Sequence, residues 1–197
     1  MLARASLATL VLFALPVAAQ TLPPGWIADA KTHCRVWNAE SEPNETISWS
    51  GACANGLAEG RGVLQWYRAG KPTGGRYEGE CHAGTMDGRG VATFASGNRY
   101  DGEWRKGERT GRGLFTWTNG NRFEGEWRDG KRNGRGVYTF ANGDHFEGEY
   151  SNDHANGLGM YTKADGTIYA GTWTNGCFQR DNRWAVIGVT AQECGFK

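Results

Sequence analysis

Several columns of chemically capable side chains recur along the chain. Glu80, Glu103, Glu126 and Glu149 stand 23 residues apart, and carboxylates held near one another are the equipment of glycoside hydrolysis. Arg61, Arg89, Arg112 and Arg135 each lie between two glycines, and a row of guanidiniums can fork carboxylates or phosphates. Five cysteines and four histidines complete the inventory. No H-E-x-x-H, C-x-x-C, G-x-S-x-G or P-loop pattern joins them, and the repeated G-x-G leads into a strand rather than a helix, so it makes no dinucleotide site. His82 and His154 fall in turn segments, His145 opens a strand and His33 lies in a flank, which predicts solvent-facing imidazoles. Neighbouring glutamates would be about 10 Å apart if each unit contributes two strands, marginal for an inverting glycosidase. Their regular repetition reads instead as a solvated acidic face, partly paired with Arg76, Arg99 and Arg122. No catalytic, cofactor or metal residue is assigned, and a non-catalytic chain is expected.

The elements that carry these columns follow from composition and period. Glycine supplies 31 of 197 residues, and each one inside a helix costs about 1 kcal/mol relative to alanine. The 12% aromatic content with nine Trp opposes disorder. Tyr77, Tyr100, Phe123, Phe146 and Tyr169 mark a 23-residue period, and four residues after each stands Cys81, Trp104, Trp127, Tyr150 and Trp173. Glycines keep step throughout, except where Asp153 interrupts the column Gly84, Gly107, Gly130, Gly176. A looser copy begins at Trp49, separated by an insertion around Lys71 to Gly75. Phe123 to Trp127 alternates aromatic, Glu, Gly, Glu, Trp, while Val137 to Phe140 is β-branched and aromatic. These are short strands, too short for helices. Alternation places the rings and their glycines on one face and the glutamates on the other. The fold expected is all-β, an elongated single-layer antiparallel sheet of successive β-hairpins about 50 Å long.

The segments GNRYDGEWRKGERTGRG, GNRFEGEWRDGKRNGRG and GDHFEGEYSNDHANGLG resemble MORN (membrane occupation and recognition nexus) repeats, whose pattern runs Y-x-G-E-W, then G, then G-x-G. The resemblance covers residues 47–176 and is specific for fold. It implies a hairpin ladder used for protein contacts, oligomerisation or lipid-head-group contacts, often appended to a separate catalytic domain. Residues 20–46 and 177–197 are too short to hold such a domain, and they read as N-terminal and C-terminal caps.

Residues 1–19 carry one cation, Arg4, an apolar run from Leu7 to Leu15, and small residues at Val17, Ala18 and Ala19. This predicts a signal peptide cleaved after Ala19, with no lipid-anchor cysteine following, and hence a secreted or periplasmic protein. In a eukaryotic secretory pathway Asn44-Glu45-Thr46 would be a glycosylation acceptor. Such a compartment permits disulfides. Cys53 and Cys81 hold the same position in adjacent repeats, too far apart to bridge. Cys34–Cys53 and Cys177–Cys194 are the pairings that staple each flank to the nearest end of the ladder, where Trp184 to Val189 is expected to supply a capping strand. Cys81 is left as a buried free thiol.

Removing Arg4 with the leader equalises positive and negative side chains, so no general attraction for nucleic acid is expected. Two features remain as binding candidates. A single-layer sheet has no opposing layer, so the rings of Trp104, Phe115, Trp117, Trp127, Tyr138 and Phe140 form a candidate binding face. Arg61, Arg89, Arg112 and Arg135 form a candidate basic edge. The function expected is a secreted or periplasmic scaffold that binds a protein partner or its own copy; the alternative is a module for a glycan or lipid head group.

Overall fold

The computed structural model describes residues 22–39 and 41–196, so the expected leader, residues 1–19, lies outside the described residues. Fourteen strands form one sheet. The N-terminal flank supplies β1 (Trp26–Ala28) and β2 (Arg35–Trp37), and β3 (Glu45–Trp49) and β4 (Ala52–Ala54) both pair with β5 (Leu57–Arg68). From β5 the sheet is a plain succession of antiparallel neighbours. These are β6 (Lys71–His82), β7 (Thr85–Thr93), β8 (Arg99–Arg105), β9 (Glu108–Thr116) and β10 (Arg122–Arg128), then β11 (Lys131–Thr139), β12 (His145–Ser151), β13 (His154–Thr162) and β14 (Ile168–Trp173). The antiparallel hairpin ladder read from the 23-residue period is present. The flank departs from it, because β2 meets β5 in parallel at Arg35 and Leu57.

Two turn types alternate, each with its own chemistry. One is a two-residue turn with both central residues at positive φ, such as Asp129 (50°) and Gly130 (74°), whose twist suits antiparallel strands. Successive turns of this type are stitched together, since Gly130 donates its N–H to Arg109 O and Gly176 donates to Ala155 O. The other closes with a glycine bulge: Gly143 donates to Phe140 O, and Phe140 to Asp144 O. Asn98, Asn121 and Asp144 each accept the backbone N–H of a residue in the next such turn, namely Thr118, Ala141 and Ala164. The Lys71–Gly75 insertion lengthens the β5–β6 ribbon, which turns at Ala69 and Gly70.

Paired glycines let the rings lie down on the sheet. Gly125 opposes Gly136, and a Cβ on Gly125 would fall 2.5 Å from Gly136 Cα and 2.7 Å from Phe123 Cζ. The ring therefore occupies the space two side chains would have filled. Successive rings then meet edge to face, Tyr100 with Trp127 at 5.3 Å and Phe123 with Tyr150 at 5.0 Å, a favoured aromatic geometry. The core is this interlocked row, in which Tyr77, Tyr100, Phe123, Phe146 and Trp173 are fully buried.

Disulfides Cys34–Cys53 and Cys177–Cys194 secure the two ends, with Cα separations of 5.8 and 5.7 Å. At the first end the buried carboxylate of Asp29 accepts N–H groups from Trp49, Lys31 and Thr32. At the other end a strand forms within the tail segment that was expected to cap the ladder. Residues Arg183–Val186 form β16, which pairs with β15 (Cys177–Arg180) as a separate hairpin rather than extending β14. The hairpin sits on the end of the ladder by side-chain packing, with Phe178 5.2 Å from Trp173.

Candidate functional site

The two faces of the sheet differ in what they leave available. Trp104, Phe115 and Trp127 keep only 5%, 6% and 4% of their surface. The indole N–H groups of Trp104 and Trp127 are spent on Gly90 O and Gly113 O, each at 3.1 Å. These three rings are therefore not a free contact surface: each is closed over by rings of its own and neighbouring repeats. Trp117, Tyr138 and Phe140 lie on the same face and remain partly exposed.

Arg61, Arg89, Arg112 and Arg135 are not at an edge. They sit within β5, β7, β9 and β11, opposite Glu80, Glu103, Glu126 and Glu149 of the next strand. The G-x-G segments are strand interior: the first glycine sits at a bulge and the second lies under an aromatic ring. Between β10 and β11 the register slips after Gly125, and Gly134 takes a φ of 106°. Glu126 Oε1 accepts the Arg135 N–H there at 3.3 Å, Glu103 Oε1 the Arg112 N–H at 3.0 Å, and Glu149 Oε2 the Leu158 N–H at 3.0 Å. These three glutamates thus bind the bulges, a structural role that a solvated acidic face did not anticipate. Arg76 and Arg99 pair instead with Glu78 and Asp101 on their own strands, at 2.8 and 2.9 Å. Among the described residues the guanidiniums of Arg61, Arg89, Arg112 and Arg135 have no ion pair, and all four are exposed.

Beside this basic row runs a second one, in which Val91, Leu114, Val137 and Met160 alternate across the strands with Asp101, Glu124 and Glu147. Arg89, Arg112 and Arg135 of the first row and Leu114, Val137 and Met160 of the second line a groove of about 1040 Å³ that crosses β7 to β13. In the last repeat Leu158 replaces the arginine and is 65% exposed, and Met160 and Ile168 of the same strand pair are exposed as well.

Two further arginines, which sequence reasoning missed, lie on the aromatic face. Arg109 stands 4.5 Å from the Trp127 ring centroid, and Arg132 lies 5.6 Å from Phe123 and 5.3 Å from Tyr150. Burial lowers the Arg109 pKa. Met86 and Ala155 occupy the same column in the flanking repeats, so no periodic signal exposed it; the only sequence clue was an arginine two residues after a turn glycine.

Cys81 is the free cysteine, buried where other repeats carry an aromatic ring. Burial pushes its thiol up to about 12, with the Glu59 charge contributing. His82 is exposed, and its pKa is raised by its hydrogen bond to Glu59 at 2.9 Å and by the Glu59 charge. Among the described residues no cluster of three metal-ligating side chains forms, and no helix is long and apolar enough to cross a membrane.

A family model for the MORN repeat matches residues 54–71, 77–99, 100–122, 123–145 and 146–168, more than half of the chain. The chain belongs to the MORN repeat family. No curated protein is significantly similar to it. MORN repeats are generally interaction scaffolds for proteins or lipids and are typically non-catalytic, and the two disulfides suit an oxidising compartment.

Proposed function

We propose that this MORN protein is a secreted or periplasmic, non-catalytic scaffold whose charged groove holds a segment of another protein that carries acidic and apolar side chains. The observation that carries this is the row of exposed guanidiniums, without ion pairs among the described residues, beside Leu114, Val137 and Met160. Because the bulges hold the facing carboxylates of Glu103, Glu126 and Glu149, acidic side chains from a partner can pair with arginines at little internal cost. The adjacent aliphatic strip supplies burial, which non-directional contact converts into affinity. Salt-sensitive association follows from the exposed charges.

A photo-reactive residue at Val137, in the groove, and another at Trp117, on the opposite face, test this in an extract of the native compartment. Cross-linking of a distinct protein from position 137 and not 117 supports the reading. Cross-linking only from 117, only to a second copy, or only flotation with anionic vesicles would replace it with the aromatic-face, self-association or lipid-head-group reading.

A further inference from the structure

A second groove, of about 650 Å³, lies on the aromatic face, away from the one proposed above. Its walls include Trp37 from the N-terminal flank and Trp66, Phe94 and Trp104 from the ladder, and Arg109 and Gly130 lie at one end. Arg109 is a partly buried cation with no carboxylate at ion-pair distance among the described residues. Glu42, Glu45 and Glu108 line the same groove without pairing with it. The buried indole N–H of Trp66 also has no acceptor among the described residues.

The next repeat shows what belongs beside such an arginine. Arg132 holds the place equivalent to Arg109, and Asp153 holds the place equivalent to Gly130. The backbones coincide in pattern: Gly130 N–H donates to Arg109 O at 3.1 Å, and Asp153 N–H to Arg132 O at 3.1 Å. The arginine side chains do the same, with Arg109 donating to Gly130 O and Arg132 to Asp153 O. Asp153 then adds what Gly130 lacks, an Oδ1 that accepts from Arg132 Nε at 3.1 Å and from its N–H at 3.0 Å. A Cβ on Gly130 would meet nothing closer than Arg109 itself, at 3.9 Å.

The geometry points to the Arg109 groove as a binding site for a small organic acid, its carboxylate taking the place that Asp153 fills beside Arg132 and its flat apolar body lying among Trp37, Trp66 and Phe94. A buried guanidinium gains most from a charged acceptor, because desolvation strengthens the pair once both partners are present. Aromatic walls favour a flat body over a branched one.

The probe is 3-phenylpropionate, with the uncharged 3-phenylpropanol for comparison, titrated while the tryptophan indole N–H resonances are followed. The repeats themselves supply two variants compatible with the fold. Arg109→Met installs the residue found at this place in the preceding repeat, and Gly130→Asp installs the one found in the following repeat, where Asp153 has a φ of 73° against 74° at Gly130. We expect the wild type to bind the acid at least about tenfold more tightly than the alcohol, saturating below about 10 mM as suits so few atoms. Arg109→Met should erase that preference. Gly130→Asp should compete from within the chain and abolish acid binding while thermal unfolding stays at or above the wild-type temperature. Equal affinity for acid and alcohol, or acid binding that survives Gly130→Asp, would overturn the assignment, as would the absence of saturable binding by the wild type. None of these outcomes bears on the charged groove, which lies on the other face.

Discussion

The Glu126 carboxylate accepts the backbone N–H of Arg135 and does not pair with the guanidinium of Arg112 directly opposite it. The carboxylate is the acceptor of the bulge amide, and leaving that amide unpaired would cost about 1–3 kcal/mol if it were sealed from water. The repeat therefore keeps its register by spending its acid on the backbone, and the arginine is left for something else.

The glycine pair under each ring should be the least replaceable part of the fold. Gly125→Ala drives a methyl into Gly136 and Phe123 and should cost about 3 kcal/mol or more. Gly166→Ala, at a φ of 84° with open space around it, should cost only about 1 kcal/mol. Denaturant titration of both variants checks the difference, and equal losses would mean that the ring does not lie on the glycines.

Much of this was legible before the structure. Alternation along Phe123–Trp127 put rings and glycines on one side, and the repeat register of Cys53 and Cys81 left Cys34–Cys53 and Cys177–Cys194 as pairings that match the structure. Two things were hidden. The sequence does not show how closely rings from successive repeats approach, so Trp127 read as a contact residue when it packs on Tyr100 and Phe123. Arg112 read as part of a basic edge when it lies inside β9, beside a bulge at Gly111, which takes a φ of 56°; only the cross-strand register shows that. Asp153 was visible as a break in a glycine column, but its partner Arg132 lies in the previous hairpin and no local pattern links the two.

Trp127→Ala should consequently act on stability, by about 3–5 kcal/mol, with Trp127→Phe retaining most of the packing while losing the bond to Gly113 O. A binding defect in Trp127→Phe with unchanged unfolding would contradict the structural role.

Thiol titration of the unreduced chain should find one reactive group in denaturant and none at pH about 8 in the native state. Cys81 is buried and its thiol stays protonated there, and only the thiolate is nucleophilic. Prompt native labelling would show that the first repeats open.

Asp29 makes the N-terminal flank acid-sensitive. Burial alone would raise its pKa, but the N–H groups of Trp49, Lys31 and Thr32 outweigh it and the net shift is downward. A carboxylate lowered on folding stabilises above its unfolded pKa, about 3.9, and loses that contribution as pH falls through the folded value. The gap in melting temperature between wild type and Asp29→Asn should therefore hold near neutrality and narrow below about pH 4. A gap that is constant to about pH 2 would remove the carboxylate from the account.

The most direct measurement of the central claim is the affinity of the partner cross-linked through Val137 for two double variants, compared with wild type by calorimetry. Arg112→Glu with Arg135→Glu should weaken binding by about thirtyfold or more, the loss of about 2 kcal/mol expected of a central hot spot. Trp117→Ser with Tyr138→Ser, on the opposite face, should stay within about threefold. The reverse order, with both variants folded, would contradict the groove as the binding surface.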